Sequence, residues 1–137
     1  MRWLKLLSWV KYHFNHLKKW REYAEKIAKA VEDIIPDADV YVVGGVAEGR
    51  TTIYSDIDIL IVIPSGILDN EAKKNLVVEV IERAIDRYSL PWDAPVEIHI
   101  ADAKTFKEYL KTCRKIIPIR RTLNKKQAQQ ETDKATS

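Results

Sequence analysis

The run Asp56-Ile57-Asp58-Ile59-Leu60-Ile61-Val62-Ile63 constrains this chain more than any other segment. Its first half alternates acid with isoleucine and its second half is wholly apolar, the pattern of a central strand buried in a sheet. The flanking sequence supplies neighbours for it. Asp39-Val40-Tyr41-Val42-Val43 is a short β-rich run ending in Gly44-Gly45, and Val96 to Ile100 is a third strand after a loop framed by Pro91 and Pro95. Between the second and third strands, Val77, Val80, Ile81, Ala84, Ile85 and Tyr88 recur at helical spacing. They predict a helix from about Asn70 to Tyr88, with Asp69 or Asn70 as its cap. Asp102 caps a further helix that carries Phe106, Tyr109, Leu110 and Cys113. The order α-β-turn-β-α-β-α predicts an α+β fold, an α/β sandwich in which a small mixed sheet of about three strands is backed by helices.

The first α in that order is long. No Gly or Pro interrupts residues 2–35 before Pro36, so they read as one helix or two nearly continuous ones. Trp3, Leu6, Leu7, Val10, Phe14, Leu17, Ala24, Ala28 and Ile35 share one side of it, with Trp9, Trp20, Tyr12 and Tyr23 widening the arc. The apolar arc spans roughly 200°, about twice what one core contact uses. The surplus aromatic surface is a candidate interface for a partner or for a second copy of the chain.

Length and composition bound the rest. At 137 residues the chain holds one domain with a true core, expected over residues 1–119, with a helical segment at 1–35. Residues 120–137 are polar and poor in bulky apolar groups, and read as a disordered tail. The lone Cys113 cannot form an internal disulfide or a zinc site. No run approaches the roughly 18 apolar residues of a membrane span, so a cytoplasmic protein is the expectation. The net charge of +3 is unevenly spread: residues 1–30 carry eight basic against two acidic groups, residues 31–100 five against fourteen, and residues 101–137 ten against four. An acidic middle between basic ends suits a site for metal cations with a phosphate-attracting rim, and it breaks up the continuous basic stripe that nucleic-acid binding uses.

The chemistry concentrates in that acidic middle. Asp56 and Asp58, two apart on a strand, send both carboxylates to one face. Like charges roughly 6–7 Å apart repel by about 1–3 kcal/mol at an effective dielectric near 20, and a divalent cation offsets that most simply. Oxygen ligands of this kind suit Mg²⁺ or Mn²⁺. Gly44-Gly45 follows a strand directly, eleven residues before Asp56, and lets backbone N–H groups approach a triphosphate closely. Glu97 adds a third carboxylate within the apolar strand Val96-Glu97-Ile98, where burial would cost several kcal/mol without a metal or a partner. His99 shares the face of Glu97. Arg50 and Ser55 lie in the intervening turn as secondary phosphate contacts, whereas His13 and His16 are too few ligands for zinc.

The stretch Val43-Gly44-Gly45-Val46-Ala47-Glu48-Gly49 through Ser55-Asp56-Ile57-Asp58, with the later Val96-Glu97-Ile98, resembles the signature of the polymerase-β-type nucleotidyltransferases. The short length and the Val-Ala-Glu-Gly variant are similar to the minimal nucleotidyltransferases of archaea and bacteria, often paired as antitoxins with helical HEPN proteins. The resemblance covers roughly residues 20–110. It implies the polymerase-β-like fold and a catalytic and metal-binding triad of Asp56, Asp58 and Glu97. It implies nucleotide binding by Gly44 and Gly45, beside the turn candidates Arg50 and Ser55, with Mg²⁺ or Mn²⁺ as cofactor and ATP as the nucleoside triphosphate. The implied reaction is AMP transfer to a hydroxyl of a HEPN toxin. Many active members carry Ser where this chain has Gly45. An alternative follows from that departure: a nucleotidyltransferase-fold module that neutralises its partner by binding alone.

Overall fold

The computed structural model describes residues 2–52, 55–64 and 68–119, with side chains from Lys5 onward. The Trp3 side chain, the Ser65-Gly66 end of the central strand and the tail at 120–137 lie outside the described residues. The chain forms α1 (Arg2–Lys18), α2 (Trp20–Ile34), β1 (Asp39–Val43), α3 (Gly44–Ala47) and β2 (Ile57–Ile63). It continues through α4 (Asn70–Tyr88), β3 (Val96–Asp102), α5 (Ala103–Thr112) and β4 (Ile117–Ile119).

The sheet order is β3-β2-β1-β4. β2 runs antiparallel to β1 and parallel to β3, and β4 runs antiparallel to β1. The parallel pair requires a crossover, and α4 provides it. The fold is thus the expected α+β arrangement, with four strands among the described residues where the sequence predicts about three. β4 is the addition. Ile117-Pro118-Ile119 pairs with Val42, Tyr41 and Val40, and its proline is tolerated because the strand lies at the sheet edge.

The central strand is covered on both faces, as its apolar second half requires. On one side Ile57, Ile59 and Ile61 pack with Val40, Val42 and Ile119 against Ala24, Ile27, Ala28 and Val31 of α2 and Val80 and Ala84 of α4. On the other, Leu60 and Val62 join Val43 and Ala101 beneath Tyr41, Phe106 and Tyr109, so α5 covers this face. The Tyr41 and Phe106 rings stack at 4.7 Å between centroids. The predicted caps are in place: Asp69 accepts from the Ala72 N–H at 2.7 Å and Asp102 from the Thr105 N–H at 2.7 Å.

α1 and α2 are nearly continuous, meeting at Lys19. The apolar arc is buried only in part. Leu17, Ala24 and Ala28 lie in the core, whereas Leu6, Leu7, Trp9 and Tyr12 are about half exposed. α1 is held by its C-terminal half through polar contacts: His13 Nε2 meets the Ser55 carbonyl at 3.1 Å, and the Tyr12 hydroxyl donates to Asp93.

Candidate active site

β1 ends where β2 and β3 begin, and the chemistry collects at that end of the sheet. In the β1–β2 ladder Val43 stands opposite Asp58, and in the parallel β2–β3 ladder Asp58 aligns with Glu97. Side chains aligned in register leave the same face, so Asp58, Glu97 and, two residues on, His99 rise together on the side that α5 covers. His99 Nε2 lies 3.6 Å from Asp58 Oδ1 and 3.9 Å from Glu97 Oε1. Donor atoms of all three residues fall within 4.8 Å of one another.

Gly44 forms the floor beneath Asp58. Its φ is +74°, and a Cβ placed there would come within 2.4 Å of Asp58 Oδ2. Only glycine meets both demands, the left-handed backbone and the close approach. The next residue, Gly45, is the second of α3 and sits under the following turn: an added Cβ would be 3.1 Å from the Arg50 carbonyl oxygen. The Gly45 carbonyl in turn accepts from the Arg50 N–H at 2.7 Å. Among the described residues no side chain caps the start of α3.

Partial burial pushes the Asp58 carboxyl above its ordinary value; the His99 imidazole opposes the shift and the Glu97 carboxylate adds to it. An acid whose anionic form is disfavoured by desolvation and a neighbouring carboxylate is stabilised by a cation. Two carboxylates and an imidazole form a donor set that fits a divalent ion.

Not every predicted residue joins this cluster. β2 begins at Ile57, so Asp56 precedes the strand and the pleat does not force its carboxylate onto the face of Asp58. Asp56 is exposed and stands outside the group formed by Asp58, Glu97 and His99. The reason is local: the Ile57 N–H bonds to the Pro95 carbonyl at 2.7 Å, and the β1 ladder starts only at Asp58. The burial expected for Glu97 is corrected too. Its side chain is 57% exposed, because β3 is an edge strand. Its place beside Asp58 therefore carries no large desolvation penalty.

The turn residues have other partners. Arg50 Nη2 bonds Glu48 Oε2 at 2.6 Å, and Glu48 Oε1 accepts from the Arg114 N–H at 3.2 Å, which ties the turn to the chain leading into β4. Ser55 Oγ accepts from the Thr52 N–H at 2.8 Å. Sequence reasoning gave Glu48 no role, although its position in the Val-Ala-Glu-Gly run was visible. Tyr109 was legible only as an apolar helix position. Burial raises its hydroxyl pKa, and the charges of Cys113, Asp58 and Glu97 add to the shift.

The fold is that of a nucleotidyltransferase domain. The family model for the nucleotidyltransferase domain matches residues 24–134, and the chain belongs to that family. Among solved structures, it is similar to a provisionally named nucleotidyltransferase from Sulfolobus solfataricus, at 17% identity and a TM-score of 0.57, over 80% of this chain and 87% of that one. A second provisionally named nucleotidyltransferase is 28% identical with a TM-score of 0.45, over 66% and 90% of the two chains. A toxin–antitoxin structure with AMP-PNP aligns at 21% identity and a TM-score of 0.44, over 75% and 77%. No curated relative matches the chain. No described helix is long and apolar enough to cross a membrane.

Proposed function

We propose that the protein is a divalent-metal-dependent nucleotidyltransferase that moves AMP from ATP to a hydroxyl of a partner protein. In this reading the partner is a helical HEPN toxin and the reaction silences it. The observation that carries the reading is the placement of Asp58 and Glu97 on adjacent strands, with Asp58 seated against Gly44 at the start of an uncapped helical turn. Family membership supports the reaction type; the nucleotide, the metal and the partner follow from the sequence resemblance.

Asp58 and Glu97 would hold Mg²⁺ or Mn²⁺, with Asp56 joining from the end of its loop. The ion supplies charge neutralisation for the triphosphate. Gly44 and Gly45 present backbone N–H groups to its outer phosphates, and Arg50 and Ser55 line the turn alongside. The acceptor oxygen attacks the α-phosphorus, the bond to the β-phosphate oxygen breaks, and pyrophosphate leaves. The acceptor proton passes to a carboxylate, for which Glu97 is well placed by its exposure.

Residues 1–119 constitute the working domain in this reading, followed by the polar tail, and the protein acts in the cytoplasm. The test is a calorimetric titration of ATP with and without Mg²⁺, on the wild type and Asp58→Asn, followed by transfer of α-labelled nucleotide to the partner. Binding that requires both the metal and Asp58 is the expected result; equal ATP binding by the two proteins refutes the site.

A second reading rests on the half-exposed Leu6, Leu7, Trp9 and Tyr12 of α1. Here the fold neutralises its partner by covering it, and the surface serves that contact or pairing with a second copy. Full neutralisation by Asp58→Asn favours this reading over the enzyme.

A further inference from the structure

We propose that His99 is a nitrogen donor to the divalent ion, and that it biases the site toward Mn²⁺ over Mg²⁺. This inference rests on the metal-site reading above and adds to it a residue outside the acidic set. The argument begins with the pleat. His99 follows Glu97 by two on β3 and so leaves the same face, while the parallel register sets both strands' side chains side by side. Its Nε2 consequently falls between the two carboxylates, 3.6 Å from Asp58 Oδ1 and 3.9 Å from Glu97 Oε1.

Those separations discriminate between roles. Both exceed the roughly 2.7–3.2 Å of an N–H···O hydrogen bond, so the imidazole is not locked to either acid. Two donors that each lie about 2.1 Å from one ion are separated by about 3.0 Å when adjacent and about 4.2 Å when opposite. The two distances fall below the limit of about 4.2 Å for donors on one ion, and with all three donor atoms within 4.8 Å of one another, shifts of about an ångström in these partly exposed side chains bring them to one ion.

The chemical consequence concerns selectivity. Mg²⁺ is a hard ion that favours oxygen ligands and retains its water, whereas first-row transition ions accept imidazole readily. Two carboxylates alone would serve either metal. The added nitrogen favours Mn²⁺, so the site's choice of ion depends on a residue outside the acidic set.

The test compares metal affinity and coordination on the folded wild-type protein, Asp58→Asn, His99→Gln and His99→Asn, with matched circular dichroism and thermal midpoints as the check on folding. Mn²⁺ and Mg²⁺ are titrated separately by calorimetry, with ATP present. The nitrogen coupling of bound Mn²⁺ is read by electron spin-echo modulation. Removing groups behind metal ligands already costs tenfold to a hundredfold in affinity. Both His99 variants are therefore expected to lose at least about tenfold in Mn²⁺ affinity, to change Mg²⁺ affinity less than about threefold, and to lose the imidazole coupling seen in the wild type. Metal binding that needs Asp58 but is indifferent to His99, with no imidazole coupling, overturns this inference and leaves the metal-site reading standing. Metal binding indifferent to Asp58 overturns both.

Discussion

Gly44 and Gly49 offer a matched pair for testing how the site is built. Both adopt left-handed backbone, with φ of +74° and +73°, but an added Cβ at Gly44 would reach 2.4 Å from Asp58 Oδ2, whereas one at Gly49 meets nothing within 4 Å. Alanine at Gly49 incurs only the backbone cost, about 1–2 kcal/mol, partly offset by about 0.4–1 kcal/mol from the stiffer unfolded chain. The net is about 1 kcal/mol. With an unfolding entropy of about 2.1 cal/mol/K per residue, that lowers Tm by about 3–4 °C. Gly44→Ala carries the same cost plus displacement of a packed carboxylate, for which overpacking typically costs about 1–3 kcal/mol. Its total is about 2–4 kcal/mol, and its Tm falls by about 7–14 °C. The larger difference is functional: Asp58 must leave its seat, so Mg²⁺-dependent ATP binding is lost in Gly44→Ala and kept in Gly49→Ala. Differential scanning calorimetry and isothermal titration of the two variants provide the comparison. Equal Tm losses with ATP binding retained in both would refute the claim that Gly44 positions Asp58.

Two further predictions concern the scaffold. The hydrogen bond and charge of Arg50 hold the Glu48 carboxyl below its ordinary value, so its stabilising contribution is present above the unfolded glutamate pKa of about 4.3 and fades as pH falls through the folded value. Glu48→Gln is expected to unfold at a lower temperature than the wild type at pH 7, with the gap closing below about pH 4; a gap constant across a pH series of melts contradicts it. At the start of α4, Asp69→Ala removes the cap on the Ala72 N–H. A loss of about 1 kcal/mol in urea unfolding is expected, with ATP binding unchanged, and an unaltered midpoint would show that the cap contributes nothing.

Much of the fold could be read from residues alone, because it depends on local patterns. The apolar run through Ile63 defined the central strand, Asp69 and Asp102 marked two helix starts, and Gly44-Gly45 marked the break after β1. β4 escaped that reading. Three residues with a proline in the middle carry no periodicity, and Ile117-Pro118-Ile119 becomes a strand only because β1 offers an unpaired edge to it.

The site divides in the same way. Its candidate acids, Asp56, Asp58 and Glu97, stood out by type and spacing, since two acids leading into an apolar strand are conspicuous on any chain. Their geometry was not. The i, i+2 rule applies inside a ladder, and whether Asp56 lies inside one depends on where pairing with β1 starts; the Pro95 carbonyl bonds Ile57 instead and leaves Asp56 beyond the ladder. Glu97 looked buried among apolar neighbours, but the outer position of β3 exposes it. His99 drew level with the acids only through the register of β2 against β3. The amino-acid sequence by itself determined which groups this protein can bring to a reaction and which segments become strands and helices. The tertiary structure alone decided which of those groups meet, because strand order and register arise from contacts between residues far apart in the chain.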